Sequence, residues 1–216
     1  MVINVSRLDF RTVIGYFLFL SVLMTSANCM SSKSGELIKS HSDSKDQYAK
    51  KVIVVLSVIE MSDDWKKVST DSMVPLKNGI NVNIDKKFKE LLPNSTIINI
   101  DKSTKILKQN KKLGLLGDMG QTYATTGDFD DNQISTLSKL LKCDFIVFSR
   151  MKIGKGDAII VKATGAMLEV FMIDSRKNEI TWGGAGNYKK GGIYGFGGTN
   201  SEEVAEELVN LTFKSF

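Results

Sequence analysis

The sequence predicts a mixed α/β domain: a single mixed β-sheet with an early β-α-β part, a later antiparallel meander, helices packed on the sheet and a C-terminal helix. Three observations carry this. Residues 51–58 (KVIVVLSV) form a continuous β-branched run, the pattern of a strand buried on both faces. Segments with apolar residues at helical spacing then alternate with short apolar runs, which is the order of a parallel βαβ unit. After residue 144 the runs lengthen and are joined by Ser175-Arg176-Lys177-Asn178, a hairpin turn.

The elements follow in order. Glu60 to Gly79 is polar, contains Trp65 and Pro75, and reads as a long loop, with a short helical piece left open. Asn83 to Leu92 is a helix, because Ile84, Phe88, Leu91 and Leu92 fall on one face; Asn81 or Asn83 can cap it and Pro93 ends it. Thr96 to Ile100 is a second strand. Asp101 or Ser103 caps a helix running to about Lys112, with Ile106 and Leu107 inward. Leu113 to Phe129 contains Gly114, Gly117, Gly120 and Gly127 and reads as a loop, long enough to be functional. Asp130 or Asp131 starts a helix with Ile134, Leu137, Leu140 and Leu141 inward. Asp144 to Met151 is a third strand, and Ala158 to Ile173 a long one with a bulge expected at Gly165. Glu179 to Tyr188 returns. Gly191 to Gly198 is a glycine-rich loop, and Ser201 to Phe216 is the closing helix, with Glu202, Glu203, Glu206 and Glu207 in its first turns.

Composition narrows the function classes. Apolar residues are 42% and charged residues 25% of 216, an ordinary globular mix that excludes a disordered or polytopic membrane chain. With 2 Cys and 1 His, a Cys/His metal site and a disulfide scaffold are excluded as well. The net charge is +5, but basic and acidic residues are interspersed and no basic stripe carries aromatics, so nucleic acid is not an expected partner.

Residues 1–28 read as a signal peptide. Arg7 and Arg11 make a basic start, Val13 to Met24 is almost continuously apolar, and Thr25-Ser26-Ala27-Asn28 are small or polar. The apolar run is shorter than the roughly 20 residues a membrane helix needs. Cys29 follows directly, and this arrangement resembles a bacterial lipobox, in which the thiol is acylated and becomes the new N-terminus. Ser26 and Asn28 fit its looser versions. Two other outcomes stay open: cleavage after Ala27, or retention as an anchor. Residues 29–47 are rich in Ser, Lys and Asp and read as a flexible tether, the feature that favours acylation. His41 lies in that tether and receives no role. Cys143, between a helix and a strand, reads as a small buried apolar residue.

Several stretches of 48–216 resemble the CsgG/TolB-N-terminal-like and LpoB-like bacterial envelope lipoprotein domain. They are the opening strand KVIVVLSV, the segment Ile134 to Arg150 with Cys143 and Asp144 at a small-acidic pair, and the hairpin Ala163 to Trp182 with Asp174, Glu179 and Trp182 at matching places. The resemblance implies a non-enzymatic, membrane-anchored lipoprotein acting as an adaptor or binding module. The alternative it implies is an oligomeric subunit of an envelope secretion or transport assembly, although the amphipathic hairpins of a pore former are absent from the pattern. The outer membrane is the expected location, with the face open.

The remaining motifs point away from catalysis. Residues 191–198 (GGIYGFGG) lack the spacing of a phosphate loop, and four acids follow where an anion would sit. Asp128, Asp130 and Asp131 lack the glycine and final glutamate of a calcium loop, and helix capping accounts for them. No cofactor or metal is expected. Glu60, Asp63 and Asp128 are the acids an enzymatic reading would have to use. The expected partners are membrane lipid, through acylated Cys29, and an envelope protein or a second copy. Trp65, Tyr123, Tyr194 and Phe196, in three presumed loops, are the candidate contact residues.

Overall fold

The structure, a computed structural model, describes residues 31–40, 45–61, 68–69, 74–155, 163–191 and 201–216. The signal segment, Cys29, His41, Asp63, Trp65, Tyr194 and Phe196 lie outside them, as does the expected loop at 192–198.

Among the described residues, eight strands form one mixed sheet: β1 (Ser31–Ser40), β2 (Val52–Val55), β3 (Ile59–Met61), β4 (Val68–Ser69), β5 (Thr96–Ile98), β6 (Phe145–Lys155), β7 (Ala163–Asp174) and β8 (Glu179–Gly191). The main order is β1-β8-β7-β6-β2-β5. β2 is parallel to both β5 and β6, and β6, β7, β8 and β1 run antiparallel in turn. The expected parallel start and antiparallel meander are therefore both present. β3 continues the line of β2 along β6 and carries β4 on its other side.

Among the described residues, five α-helices cover the sheet: α1 (Val74–Leu91), α2 (Ile100–Gln109), α3 (Leu115–Thr126), α4 (Asp131–Leu141) and α5 (Ser201–Thr212). Period-2 alternation in the strands separates two cores. Val147, Leu168, Val170 and Trp182 face α1 and α5, together with Phe88, Leu208 and Phe213. Phe148, Phe171 and Ile173 face the opposite way, against Leu107, Met119, Ile134 and Leu137.

The structure corrects the sequence reading in five places. First, Ser31–Ser40 of the expected tether is a strand paired with β8. Its sequence alternates little because it stands at the end of the sheet order, with residues 33–38 exposed, and it is held by its neighbour's backbone.

Second, α1 starts nine residues before Asn83, inside the expected 60–79 loop. Leu76, Ile80, Ile84 and Phe88 are all buried at four-residue spacing, and Pro75 sits in the first turn, where no intrahelical N–H is lost. Asn81, proposed as a cap, instead accepts from the Val58 N–H at 2.9 Å and donates to Ser57 Oγ at 3.3 Å.

Third, the expected 113–129 loop is largely α3. Gly120 is there for contact, since a Cβ would collide with Ile59 Cδ1. Only Gly127, with φ 76°, ends the helix in the left-handed region that glycine favours.

Fourth, α2 is capped by Asn99, which accepts from the Lys102 N–H at 3.1 Å. Ser103 is buried and donates to the Val55 carbonyl at 2.7 Å. Asp130 does cap α4, accepting from the Asn132 and Gln133 N–H groups.

Fifth, the bulge lies between Met172 and Ile173, opposite Ile180 and Trp182, and the ladder runs unbroken through Gly165.

Candidate functional site

Residues that resemble the lipoprotein domain's motifs hold the sheet together. Asp144 accepts the Val52 N–H at 3.0 Å and, through its other oxygen, the Arg176 guanidinium at 2.6 Å. It thereby ties the start of β2 to the β7–β8 turn. Asp174 accepts the Arg176 and Lys177 N–H groups and closes that turn. Trp182 packs against Phe213 and Phe216 in the first core. Cys143 sits half-buried beside Asp144. Burial, then the neighbouring carboxylate, pushes its thiol up to about 12, so the thiolate that would make it a nucleophile is suppressed.

Tyr123 is the one candidate contact residue among the described residues. Its ring stacks on Phe129 at 4.7 Å and lies 4.6 Å from Phe171, and the Arg150 guanidinium sits over its face at 4.5 Å. Burial, with the Glu169 charge adding, raises its phenol pKa. Beneath it, buried Arg150 donates through Nε to Glu169 across the β6–β7 register. Glu60 is also buried, on β3. The cation, the carboxylate and the aromatic face together form a closed structural cluster. Among the described residues, no group of three or more His, Cys, Asp or Glu could hold a metal ion.

Among the described residues, a groove runs along α1. One half, about 620 Å³, is lined by Val74, Pro75, Val82, Ser201, Glu202 and Glu206 among others. The other half, about 450 Å³, is lined by Val82, Asp85, Lys86, Lys89 and Glu90. The two halves meet at Val82, which is 66% exposed, and Val74 is 52% exposed at the far end. At the first half Gly79 lets α1 and α5 approach closely; a Cβ there would lie 2.8 Å from Ala205 Cβ. Sequence reasoning missed it, since Val74 and Val82 fell in an assumed loop or cap. Their i, i+8 spacing on an extended α1 is the signal that would have shown it.

No helix among the described residues is long and apolar enough to cross a membrane. No family model and no curated protein matches the chain, so the CsgG/TolB-like resemblance rests on the motifs alone. Solved structures similar to it include lipoprotein GNA1162 from Neisseria meningitidis, at 16% identity and TM-score 0.45, covering 74% of this chain and 93% of that one. The PelC dodecamer from Paraburkholderia phytofirmans is similar at 9% identity and TM-score 0.40, covering 83% and 92%. The LpoB C-terminal domain from Escherichia coli is similar at 10% identity and TM-score 0.35, covering 65% and 83%. Likeness at this level carries no inference about function.

Proposed function

We propose that this chain is a non-enzymatic lipoprotein of the bacterial cell envelope, held in a membrane by acyl chains on Cys29, whose domain binds another envelope protein. The observation that carries the reading is the place of Cys29, directly after a basic start, an apolar run and small residues. Two features support a binding role. The Arg150–Glu169 pair is engaged in holding β6 to β7 rather than exposed to a substrate. The α1 groove offers apolar surface at Val74 and Val82 between acidic and lysine-bearing rims. The outer membrane is the expected location.

A second reading, an oligomeric subunit of a secretion or transport assembly, is favoured by β1. Among the described residues this ten-residue strand stands at the end of the sheet order, and a sheet edge is a template for another chain.

The test is the intact mass and N-terminal peptide of the membrane-extracted protein, followed by its native mass in mild detergent. Acylated Cys29 at the N-terminus supports the reading, and an unmodified start at Asn28 overturns it. A monomer fits the adaptor, and a large homo-oligomer fits the assembly subunit.

A further inference from the structure

A tether of 29–47 would let the domain roam from its anchor, but β1 removes most of that freedom. From Ser31 onward the chain is laddered to β8, with Ser31 opposite Lys190 and Lys33 opposite Tyr188. The strand is also held by side chains. Lys33 reaches Glu207 of α5 at 3.2 Å and sits over the Tyr188 ring at 5.5 Å. Gly35 lies so close to the Leu211 carbonyl that a Cβ would collide with it. Only Met30 separates Cys29 from the first paired residue. Two residues of extended chain span about 7 Å, a fraction of a small domain's diameter.

The register shows what lies at that point. Lys155 of β6, Thr164 of β7, Lys190 of β8 and Ser31 of β1 are aligned in one row across the sheet. α5 runs parallel to β1, because Glu207 meets Lys33 and Leu211 meets Gly35, so its N-terminal end lies at the same end as Ser31. Lys50, Lys142 and Lys177 lie at the opposite end, before β2, before β6 and in the β7–β8 turn.

Resting on the reading that Cys29 is acylated, we infer that the anchor seats this end of the sheet directly on the lipid headgroups. β1 leads away from the bilayer, and the opposite end faces away from it. The occupant of this surface is the bilayer itself. Leash length fixes the orientation; charge does not, since Lys33 is matched by Glu207 and α5 brings further acids to the same end.

The experiment uses the mature protein in vesicles of phosphatidylethanolamine and phosphatidylglycerol at about 3:1, pulsed with an amine-acylating reagent and read lysine by lysine by mass spectrometry. The reference is the Cys29→Ser protein in solution. The expected result is several-fold slower labelling of Lys33, Lys152 and Lys189, with Lys50, Lys142 and Lys177 unchanged. Uniform labelling of a protein whose intact mass carries acyl chains overturns the seating and leaves the anchor standing. An intact mass without acyl chains overturns both. Inserting about twelve Gly/Ser residues between Met30 and Ser31 leaves every paired strand intact and should restore labelling at Lys33 and Lys189. Protection that survives this insertion overturns the leash as its cause.

Discussion

The backbone of Gly186 lies directly beneath the last turn of α5, where a Cβ would come within 2.5 Å of the Thr212 hydroxyl and 2.6 Å of the Leu208 carbonyl. Gly184 beside it is equally confined. Gly184 and Gly186, two residues apart on one face of β8, are thus a bare track on which the helix rests. Gly186→Ala should destabilise the domain by about 1–3 kcal/mol through overpacking. Gly165→Ala, where the nearest atom is 3.8 Å away, should be neutral or slightly stabilising. Urea denaturation of the two variants checks this, and equal effects would contradict the close approach.

The Arg150–Glu169 pair makes a second prediction. Arg150→Met leaves the Glu169 carboxylate buried without its cation and should cost about 3–5 kcal/mol. The double variant Arg150→Met/Glu169→Leu should recover much of that loss, because the pair's desolvation disappears with both charges. A double-mutant cycle measures the coupling.

Asp85 gives a pH dependence of defined sign. Its two carboxylate oxygens each lie 3.2 Å from the Ile100 nitrogen. Burial raises its pKa above the ordinary carboxylate value, with the Ile100 N–H and Lys89 opposing and Asp101 adding. Between the ordinary and the raised value the folded state holds more protons than the unfolded one. The contribution of Asp85 to stability therefore falls as pH rises through that window. The difference in unfolding free energy between the parent protein and Asp85→Asn, followed from about pH 3 to about 6, should show this slope.

Cys143 should resist alkylation. With its thiol pushed up to about 12, iodoacetamide labelling at neutral pH should be at least about tenfold slower in the folded protein than in denaturant. Fast labelling of the folded protein would mean the helix–strand junction opens locally.

Val82→Glu separates stability from binding. At 66% exposure, the change should shift unfolding by no more than about 0.5 kcal/mol. It should weaken whatever association the α1 groove supports, read as cross-linking yield to neighbouring envelope proteins or to a second copy. Unchanged yield would move the contact surface elsewhere.

The parts of the fold legible in the residues were those in which burial imposes its own pattern. Ile53 to Val55 of β2 and Phe145 to Phe148 of β6 are buried and so are continuously apolar. α4 announces itself by Asp130 and by Ile134, Leu137 and Leu141. Asp174 marks the hairpin turn for a reason local to it, since it accepts the Arg176 and Lys177 N–H groups. The candidate site was less legible. Tyr123 looked like an exposed loop aromatic only while α3 was taken for a loop, and Arg150 and Glu169 became a pair only through the β6–β7 register.

What the sequence by itself determined is the fold class, the central strands and the position of Cys29 after an export-like segment, because period, propensity and spacing act within a few residues. Only the tertiary structure decided that a Ser- and Lys-rich stretch is the edge strand β1, that a glycine-bearing stretch is α3, and that Val82 stands in an open groove. In each case the stabilising partner is distant in sequence: the β8 backbone, the Ile59 side chain and the α5 helix. Hydrogen bonds to another strand's backbone and contacts that only a missing Cβ permits leave no periodic mark in the chain that makes them.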